Sequence, residues 1–400
     1  MDDSAGSTTN KGRAADSKAP IYLDYQATTP VDPRVAERMA ACLTRDGVFG
    51  NPASPHAYGR AAAQVVEQAR QSAARLIGAA PRDLLWTSGA TESNNLAILG
   101  TARAARAHGR HLVSARTEHK SVLDPLRQLE REGFVVSWLQ PDHDGLIAPE
   151  ALRAALRPDT QLVSIMHANN EIGVVQDIGA LGAVCAQRAI PLHVDAAQSA
   201  GKLPIDVVAL SCELLSFTAH KLYGPKGIGA LYVHPARRAQ LQPLQFGGGQ
   251  ERGLRSGTLP VHQIAGFGAA CELALLEGPA EVARITALRE QLWRGFADLP
   301  DALLNGHREQ RVAGILNVSF NGVEGESLLL GLTELALSTS AACNSDSDEA
   351  SYVLRALGRD PQLAQASLRF SLGRFTTAAE IDIAIAAVRR ELGRLRAIAP

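Results

Sequence analysis

One pattern dominates the first part of the chain: short, β-rich apolar runs alternate with segments whose apolar residues recur at helical spacing. The runs read "DLLWTSG", "HLVSA", "FVVSWL", "QLVSIMH", "PLHVDAAQ", "ELLSFTA" and "GIGALYV". Helical patterns such as "SVLDPLRQLEREG" and "IGALGAVCAQRAI" separate them, and "GRAAAQVVEQARQSAARLIG" leads them in, stopping on Gly78, a residue suited to a C-cap. A strand that follows a helical crossover lies parallel to its predecessor, and a parallel sheet has to be covered on both faces. The sequence therefore predicts an α/β fold, a mostly parallel sheet flanked by helices.

The regime changes near residue 275. "PAEVARITALREQLWRGFADL" predicts a long amphipathic helix, and "GILNVSFNGV", "LALSTSAA" and "SLRFSLGRF" predict strands of a smaller α+β unit closed by the helix "AAEIDIAIAAVRRELGRLRAI". Residues 31–276 are assigned to the large unit, and residues 20–30 with 277–400 to the small one. A cleft between them is the expected place for a site. Residues 1–19 are expected to form a solvated, mobile extension.

A formal net charge of −1 leaves no basic footprint for nucleic acid and no polybasic patch for a membrane surface. No apolar run approaches the roughly 18–20 residues of a membrane span, and the N-terminal stretch lacks the apolar core of a secretory signal. The five cysteines, Cys42, Cys185, Cys212, Cys271 and Cys343, contain no CxxC pair. That spacing argues against a disulfide framework and a zinc cluster, and it fits a reducing cytoplasm.

Ligands of open α/β sheets sit beyond the carboxyl ends of the strands, so the residues just after each apolar run are the informative ones. After "LLW" come Gly89, Ala90 and Thr91, a tight turn into a helix whose free N–H groups suit a phosphate; such a turn by itself is ordinarily just a helix cap. His119 follows "HLVSA" and Asn170 follows "LVSIMH"; a lone loop histidine is ordinarily solvated, and the asparagine cluster is not diagnostic. Asp195 ends "PLHV", with Gln198 close behind. A carboxylate at the end of a buried run is expected to meet a cation. Thr218, His220 and Lys221 end "LLSF", and a stiff Tyr-Gly-Pro-Lys-Gly turn follows at once. Any one lysine is ordinarily a surface ammonium, but an amine, a carboxylate, an imidazole and a phosphate-suited helix start at one sheet edge are the parts that hold pyridoxal 5'-phosphate.

Six ordered stretches, "YLDYQATTPVDPRV", "GNPASPHAYGR", "FTAHKLYGPKGIGALYV", "RSGTLPVHQIAG", "ILNVSF" and "RFSLGRFT", closely resemble the cysteine desulfurases of the IscS and NifS type. These belong to the class V aminotransferases, fold-type I pyridoxal-phosphate enzymes built like aspartate aminotransferase around a seven-stranded sheet. The resemblance covers roughly residues 20–400. It implies that Lys221 binds the cofactor as a Schiff base, that His119 stacks on its ring and moves protons, that Asp195 pairs the ring nitrogen and that Gln198 meets the phenolic oxygen. It also implies that Ala90, Thr91, Thr218 and His220 hold the phosphate, joined by Thr258 of a neighbouring subunit in a homodimer. Asn170 and Arg369 are implied as the substrate-binding pair, with Asn170 also beside the cofactor; an arginine fork suits an α-carboxylate.

Cys42, Cys185, Cys212 and Cys271 lie in or beside regular patterns and read as small buried hydrophobes. Cys343 lies in "STSAACNSDSDEAS", small and polar, and is expected on an exposed, mobile loop spanning about 338–350. It matches the family's persulfide-forming nucleophile. The implied reaction converts L-cysteine to L-alanine and passes the sulfur through Cys343 to an acceptor, such as an iron-sulfur scaffold protein or a tRNA-thiolation relay. No metal of its own is expected, although Cys343 can contribute to a cluster at a scaffold interface. A selenocysteine lyase or another class V aminotransferase, and a catalytically silent sulfur-transfer platform, are the other readings.

Two features depart from the family pattern. Members of this type usually continue into a short tail that docks the scaffold protein, whereas this chain stops at "RLRAIAP". Asn344, Ser345 and Asp346 are also more polar and acidic than the pattern. Both departures bear on the partner and not on the chemistry.

Overall fold

The computed structural model describes residues 19–339 and 350–398. After the short strand β1 (Ile21–Tyr22), seven strands build one sheet: β2 (Leu84–Thr87), β3 (His111–Ala115), β4 (Val135–Leu139), β5 (Thr160–Met166), β6 (Leu192–Asp195), β7 (Leu214–Thr218) and β8 (Gly229–Val233). Their spatial order is β2-β8-β7-β6-β5-β3-β4. Neighbours from β4 across to β7 are parallel, and β8 runs antiparallel to both β2 and β7. The reversal follows from the chain between Thr218 and Gly229, a tight turn too short to hold a crossover helix.

Alternation along the strands explains why both faces are covered. On β7, Leu215 and Phe217 join one apolar layer and Leu214 joins the other; on β8, Ala230 and Tyr232 face the first, Leu231 and Val233 the second. The helices Ala57–Leu76 and Val261–Arg294 close the first layer through Val66, Ala69, Ile264 and Phe267. The helices Ala90–Ala104 and Lys120–Arg131 close the second through Leu96, Ile98, Val122 and Leu126. Phe267 packs against both Trp86 and Phe217, with ring centroids 5.7 and 5.3 Å apart. Each such ring removed from water contributes about 1.5–3 kcal/mol.

A second, antiparallel sheet takes the order β12-β13-β10-β9, from β9 (Ala302–Leu304), β10 (Ile315–Phe320), β12 (Ser338–Thr339) and β13 (Ser367–Ser371), while β1 pairs in parallel with β11 (Leu335–Ala336). Phe296, Phe320 and Phe370 form its core with Ile381 and Val388 of the closing helix Ala378–Ile398. The N-terminal segment is stitched to this sheet by β1 and by a bridge from Asp24 to Ser371, then crosses to the large one.

One helix differs from the sequence reading. The segment expected to begin at Pro279 begins at Val261 and runs unbroken through Pro279 to Arg294. A proline inside a helix costs about 3 kcal/mol, which here is outweighed by the burial of Ile264, Phe267, Ala270 and Cys271 on the turns before it. Among the described residues, no helix is long and apolar enough to cross a membrane.

Candidate active site

The carboxyl ends of the central strands open into a cavity of about 620 Å³ lined by Ala90, Thr91, His119, Asn170, Asp195, Gln198, Thr218, His220 and Lys221. They come from the ends of five strands, β2, β3, β5, β6 and β7, and the turns that follow them, and the sheet aims those turns at one edge. Ala27 and Thr28, from the segment that crosses between the sheets, line it as well.

Lys221 reaches the cavity because the turn behind it is held rigidly. Leu222 and Gly224 both donate their N–H groups to the carbonyl of Ala219, and Tyr223 takes a left-handed φ of 61°. The crossing segment braces this turn: Thr29 donates twice to the His220 carbonyl, from its backbone and its hydroxyl, and accepts the N–H of Tyr223 at 2.9 Å. The Lys221 ammonium donates to the backbone carbonyls of Gln26 and Ala27. Burial and the positive charges of Lys221, Lys226 and Lys202 push His220 down to about 4, so its ring is neutral and its Nδ1 lies 3.1 Å from the Thr28 hydroxyl.

Asp195 is buried at 5% exposure. The sequence led us to expect a cation opposite it, yet among the described residues no Lys, Arg or His forms an ion pair with it. Two neutral donors hold it instead, Asn94 Nδ2 at 2.8 Å to Oδ2 and the Ala197 N–H at 2.9 Å to Oδ1. Asn94 also donates to the Ser121 hydroxyl at 2.9 Å, which leaves that hydroxyl to donate to His119 Nδ1 at 2.8 Å. Nδ1 accepts the Ser121 N–H as well, because His119 caps the helix Lys120–Arg131. The neutral ring therefore carries its proton on Nε2. Burial lowers the His119 pKa below that of a free imidazole; Lys221 adds to the effect and Asp195 opposes it.

At the other end of the cavity the helix Ala90–Ala104 starts at Gly89, with φ 156° and no side chain capping its free N–H groups. A Cβ on Gly229, the first residue of β8, would lie 2.6 Å from Gly89 Cα, so two glycines bring the helix start against the sheet. An uncapped helix start is a seat for an anion. Arg255 pairs with Glu92 on the first turn at 2.7 Å and ties the segment carrying Thr258 to this end.

Three predicted residues stand apart. Arg369 does not line the cavity; it donates to the Asn170 carbonyl at 3.1 Å and to Asp24 at 2.8 Å, and its buried Nε has no hydrogen-bond partner. The Asn170 amide oxygen, buried in the cavity wall, is likewise unpartnered. Thr258 is exposed and lies outside the cavity of its own chain. Cys343 lies outside the described residues. Gln26, Asn94, Ser121 and Lys202, all in contact with cavity residues, escaped the sequence reading; Gln26 alone carried a signal, its place inside "YLDYQATTP".

A strand-end lysine, a strand-end aspartate and an uncapped helix start thus share one cavity, and the family model described as aminotransferase class-V matches residues 21–383 of the chain that builds it. This chain belongs to the class-V aminotransferase family, among its cysteine desulfurases. A curated relative, cysteine desulfurase IscS of Pectobacterium atrosepticum, is 58% identical over 384 residues, 96% of this chain and 95% of its own. Among solved structures, a NifS-like protein superimposes with a TM-score of 0.88 at 34% identity, covering 94% of this chain and 100% of the other. SspA in complex with cysteine gives 0.80 at 37% identity, covering 89% and 100%.

Class-V aminotransferases in general depend on pyridoxal phosphate, and the residues present fit that group. The helix start at Gly89 lacks a side-chain cap, the cavity wall carries an acceptor without a donor in Asn170, and an amine and a carboxylate face the same space.

Proposed function

We propose that this chain is a cysteine desulfurase working in the cavity at the strand ends, converting L-cysteine to L-alanine and moving the sulfur to its own Cys343. The observation that carries the reading is the convergence of Lys221, Asp195 and the uncapped start at Gly89 on one cavity. Pyridoxal phosphate, when bound, supplies an electrophilic carbon for the substrate amine and a sink for the electrons of its α-carbon. Lys221 would hold it covalently, and Ala90, Thr91, Thr218 and His220 would hold its phosphate. Asp195 would keep a proton on the ring nitrogen, and Gln198 would donate to the phenolic oxygen.

The protein's own groups then handle protons and position. His119, neutral with its proton on Nε2, lines the same cavity as Lys221, and the two groups take and return the α-proton. Asn170 and Arg369 hold the substrate carboxylate, for which Arg369 exchanges its hold on Asp24. The Cys343 thiolate attacks the substrate sulfur: an S–S bond forms, the carbon–sulfur bond breaks, and the carbon takes a proton, so cysteine and thiol become alanine and persulfide. We assign residues 31–276 to cofactor binding and residues 20–30 with 277–400 to the unit carrying Cys343. We further propose a homodimer in which Thr258 of each subunit completes the partner's phosphate site, a cytoplasmic setting, and an acceptor protein such as an iron-sulfur scaffold.

The test is a paired assay of alanine and sulfide from L-cysteine with a thiol reductant, beside the visible spectrum. Wild type should be yellow and release both products; Cys343→Ser should stay yellow and release no sulfide; Lys221→Ala should lose the covalent chromophore. A Cys343→Ser variant with full turnover would sink the sulfur-transfer reading and leave a different amino acid as the substrate.

A further inference from the structure

Behind the cavity wall lies an amine that the mechanism above does not use. Lys202 follows Gly201, whose left-handed φ of 70° turns the chain back, so that the lysine side chain returns alongside Gln198. Its Nζ lies 3.3 Å from Gln198 Oε1 and 3.2 Å from Gln26 Oε1. Among the described residues no carboxylate pairs with it. Both of its partners are amide oxygens, on side chains buried at 5% and 3% exposure.

That geometry settles which way the Gln198 amide points. An ammonium only donates, so the oxygen of Gln198 has to face Lys202 and its NH₂ the other way. There it donates to the Gln26 carbonyl at 3.3 Å, the same oxygen that receives the Lys221 ammonium. Gln26 is thus the shared support of both lysines, its side chain under Lys202 and its backbone under Lys221.

Resting on the cofactor reading above, we infer that Lys202 is a positioning residue for cofactor recognition: it locks the Gln198 amide with the NH₂ toward the cavity, so that Gln198 can only donate to the phenolic oxygen. Burial and the charge of Lys221 push the Lys202 pKa down to about 7, while Glu281 opposes the shift. Glu281, Arg374, Tyr25 and Tyr223 line the small space that Lys202 and Lys221 share on the far side of the wall. Only the ammonium is an obligate donor; the neutral amine has a lone pair that can accept an amide N–H, so the lock is strict while Lys202 is protonated and relaxes as it loses its proton.

The experiment is a spectrophotometric pH titration of the bound pyridoxal-phosphate chromophore in wild type, Lys202→Met, Gln198→Ala and the double variant. Losing a dedicated donor disfavours the ionised phenolic oxygen, so Lys202→Met should raise the chromophore pKa by about one unit or more, a tenfold change. In the Gln198→Ala background the same substitution should add nothing, and Lys202→Arg, a donor-only cation, should titrate like wild type. An unchanged titration in Lys202→Met overturns the inference, as does an equal shift in the Gln198→Ala background, which would assign the effect to charge alone. Should Lys202→Met not fold, Lys202→Gln fills the same space without being an obligate donor, and the same shift is expected. A wild type that forms no chromophore with added pyridoxal phosphate overturns the cofactor reading itself, and this inference with it.

Discussion

Asn94 gives one amide group to two residues, donating to Asp195 Oδ2 at 2.8 Å and to the Ser121 hydroxyl at 2.9 Å, so a single side chain ties the buried aspartate to the hydroxyl that orients His119. Replacing it with alanine leaves Asp195 with one donor, the Ala197 N–H. An unsatisfied buried acceptor costs about 1–3 kcal/mol. Asn94→Ala should therefore lose about that much stability in urea unfolding of the cofactor-free protein. Asn94→Asp should lose more, and should recover stability as the pH falls and one of the facing carboxyls takes a proton. Equal stabilities of Asn94→Asp and wild type at pH 8 would rule this account out.

A second buried carboxyl sits one residue from the proposed substrate contact. Glu171 accepts the Ser351 hydroxyl at 2.5 Å, and burial pushes its pKa up to about 7 from 4.5, with Ser351 and the Arg369 charge opposing. The folded state then holds a proton between about pH 4.5 and 7 that the unfolded chain has released, so stability is full below the window and falls as pH rises through it. Glu171→Gln has no such proton to lose. Its stability relative to wild type should rise by up to roughly 3 kcal/mol between pH 4 and pH 8, measured by urea unfolding across that range. Glu118, also buried with a raised pKa, is present in both proteins and cancels in the difference. Parallel pH curves would refute the shift.

The strand-end residues were legible because two rules sufficed to place them: short apolar runs between helical patterns mark the strands, which are buried on both faces, and parallel strands expose their carboxyl ends on one side. His119, Asp195 and Lys221 line one cavity for that reason. Asn94, Ser121 and Lys202 were not legible, because their roles depend on which atoms meet across folded elements. Nothing local marks Asn94, a polar residue inside the first helix after Gly89, as the partner of a strand 101 residues later. Lys202 sits in "SAGKLP", which reads as an ordinary turn. No side chain among the described residues supplies the cation expected opposite Asp195; two neutral donors hold the carboxylate, and under the proposed function the cation is the protonated ring nitrogen of the cofactor. The early start of the helix Val261–Arg294 was hidden because a proline in mid-sequence usually marks a boundary, and only the packing of Phe267 against Trp86 and Phe217 overrides it.

His119 is held with Nδ1 as an acceptor, and its pKa lies below the free imidazole value of 6.5. As the acid–base group it should place the acid limb of the pH–rate profile below that value, since activity falls only once the ring protonates. His119→Gln should lower kcat roughly a hundredfold or more with a smaller effect on KM, and should remove that limb. Ser121→Ala, which removes the hydroxyl from Nδ1 but keeps the capping N–H, should lower kcat less and keep the limb. Stopped-flow absorbance with L-cysteine from pH 5 to 8 checks both. An acid limb surviving in His119→Gln would assign it to another group.

The turn behind Lys221 tests whether delivery of the amine depends on packing alone. A Cβ on Gly224 would lie 2.9 Å from both the Cβ and the carbonyl oxygen of Ala219 and 3.2 Å from the Cβ of Ala270, with no polar group lost. The turn has to move to admit it, at a cost of about 1–3 kcal/mol, and Lys221 moves with the turn. Gly322→Ala is the control. A Cβ there meets nothing within 4 Å, and its φ of 77° strains the backbone by about 1 kcal/mol in the turn after β10, away from the cavity wall. Gly224→Ala should bind pyridoxal phosphate roughly tenfold or more weakly in an absorbance titration, whereas Gly322→Ala should bind it as wild type does. Equal affinities in the two variants would mean that the turn yields without shifting Lys221, and that the amine is placed by its carbonyl acceptors on Gln26 and Ala27 instead of by the packing beneath it.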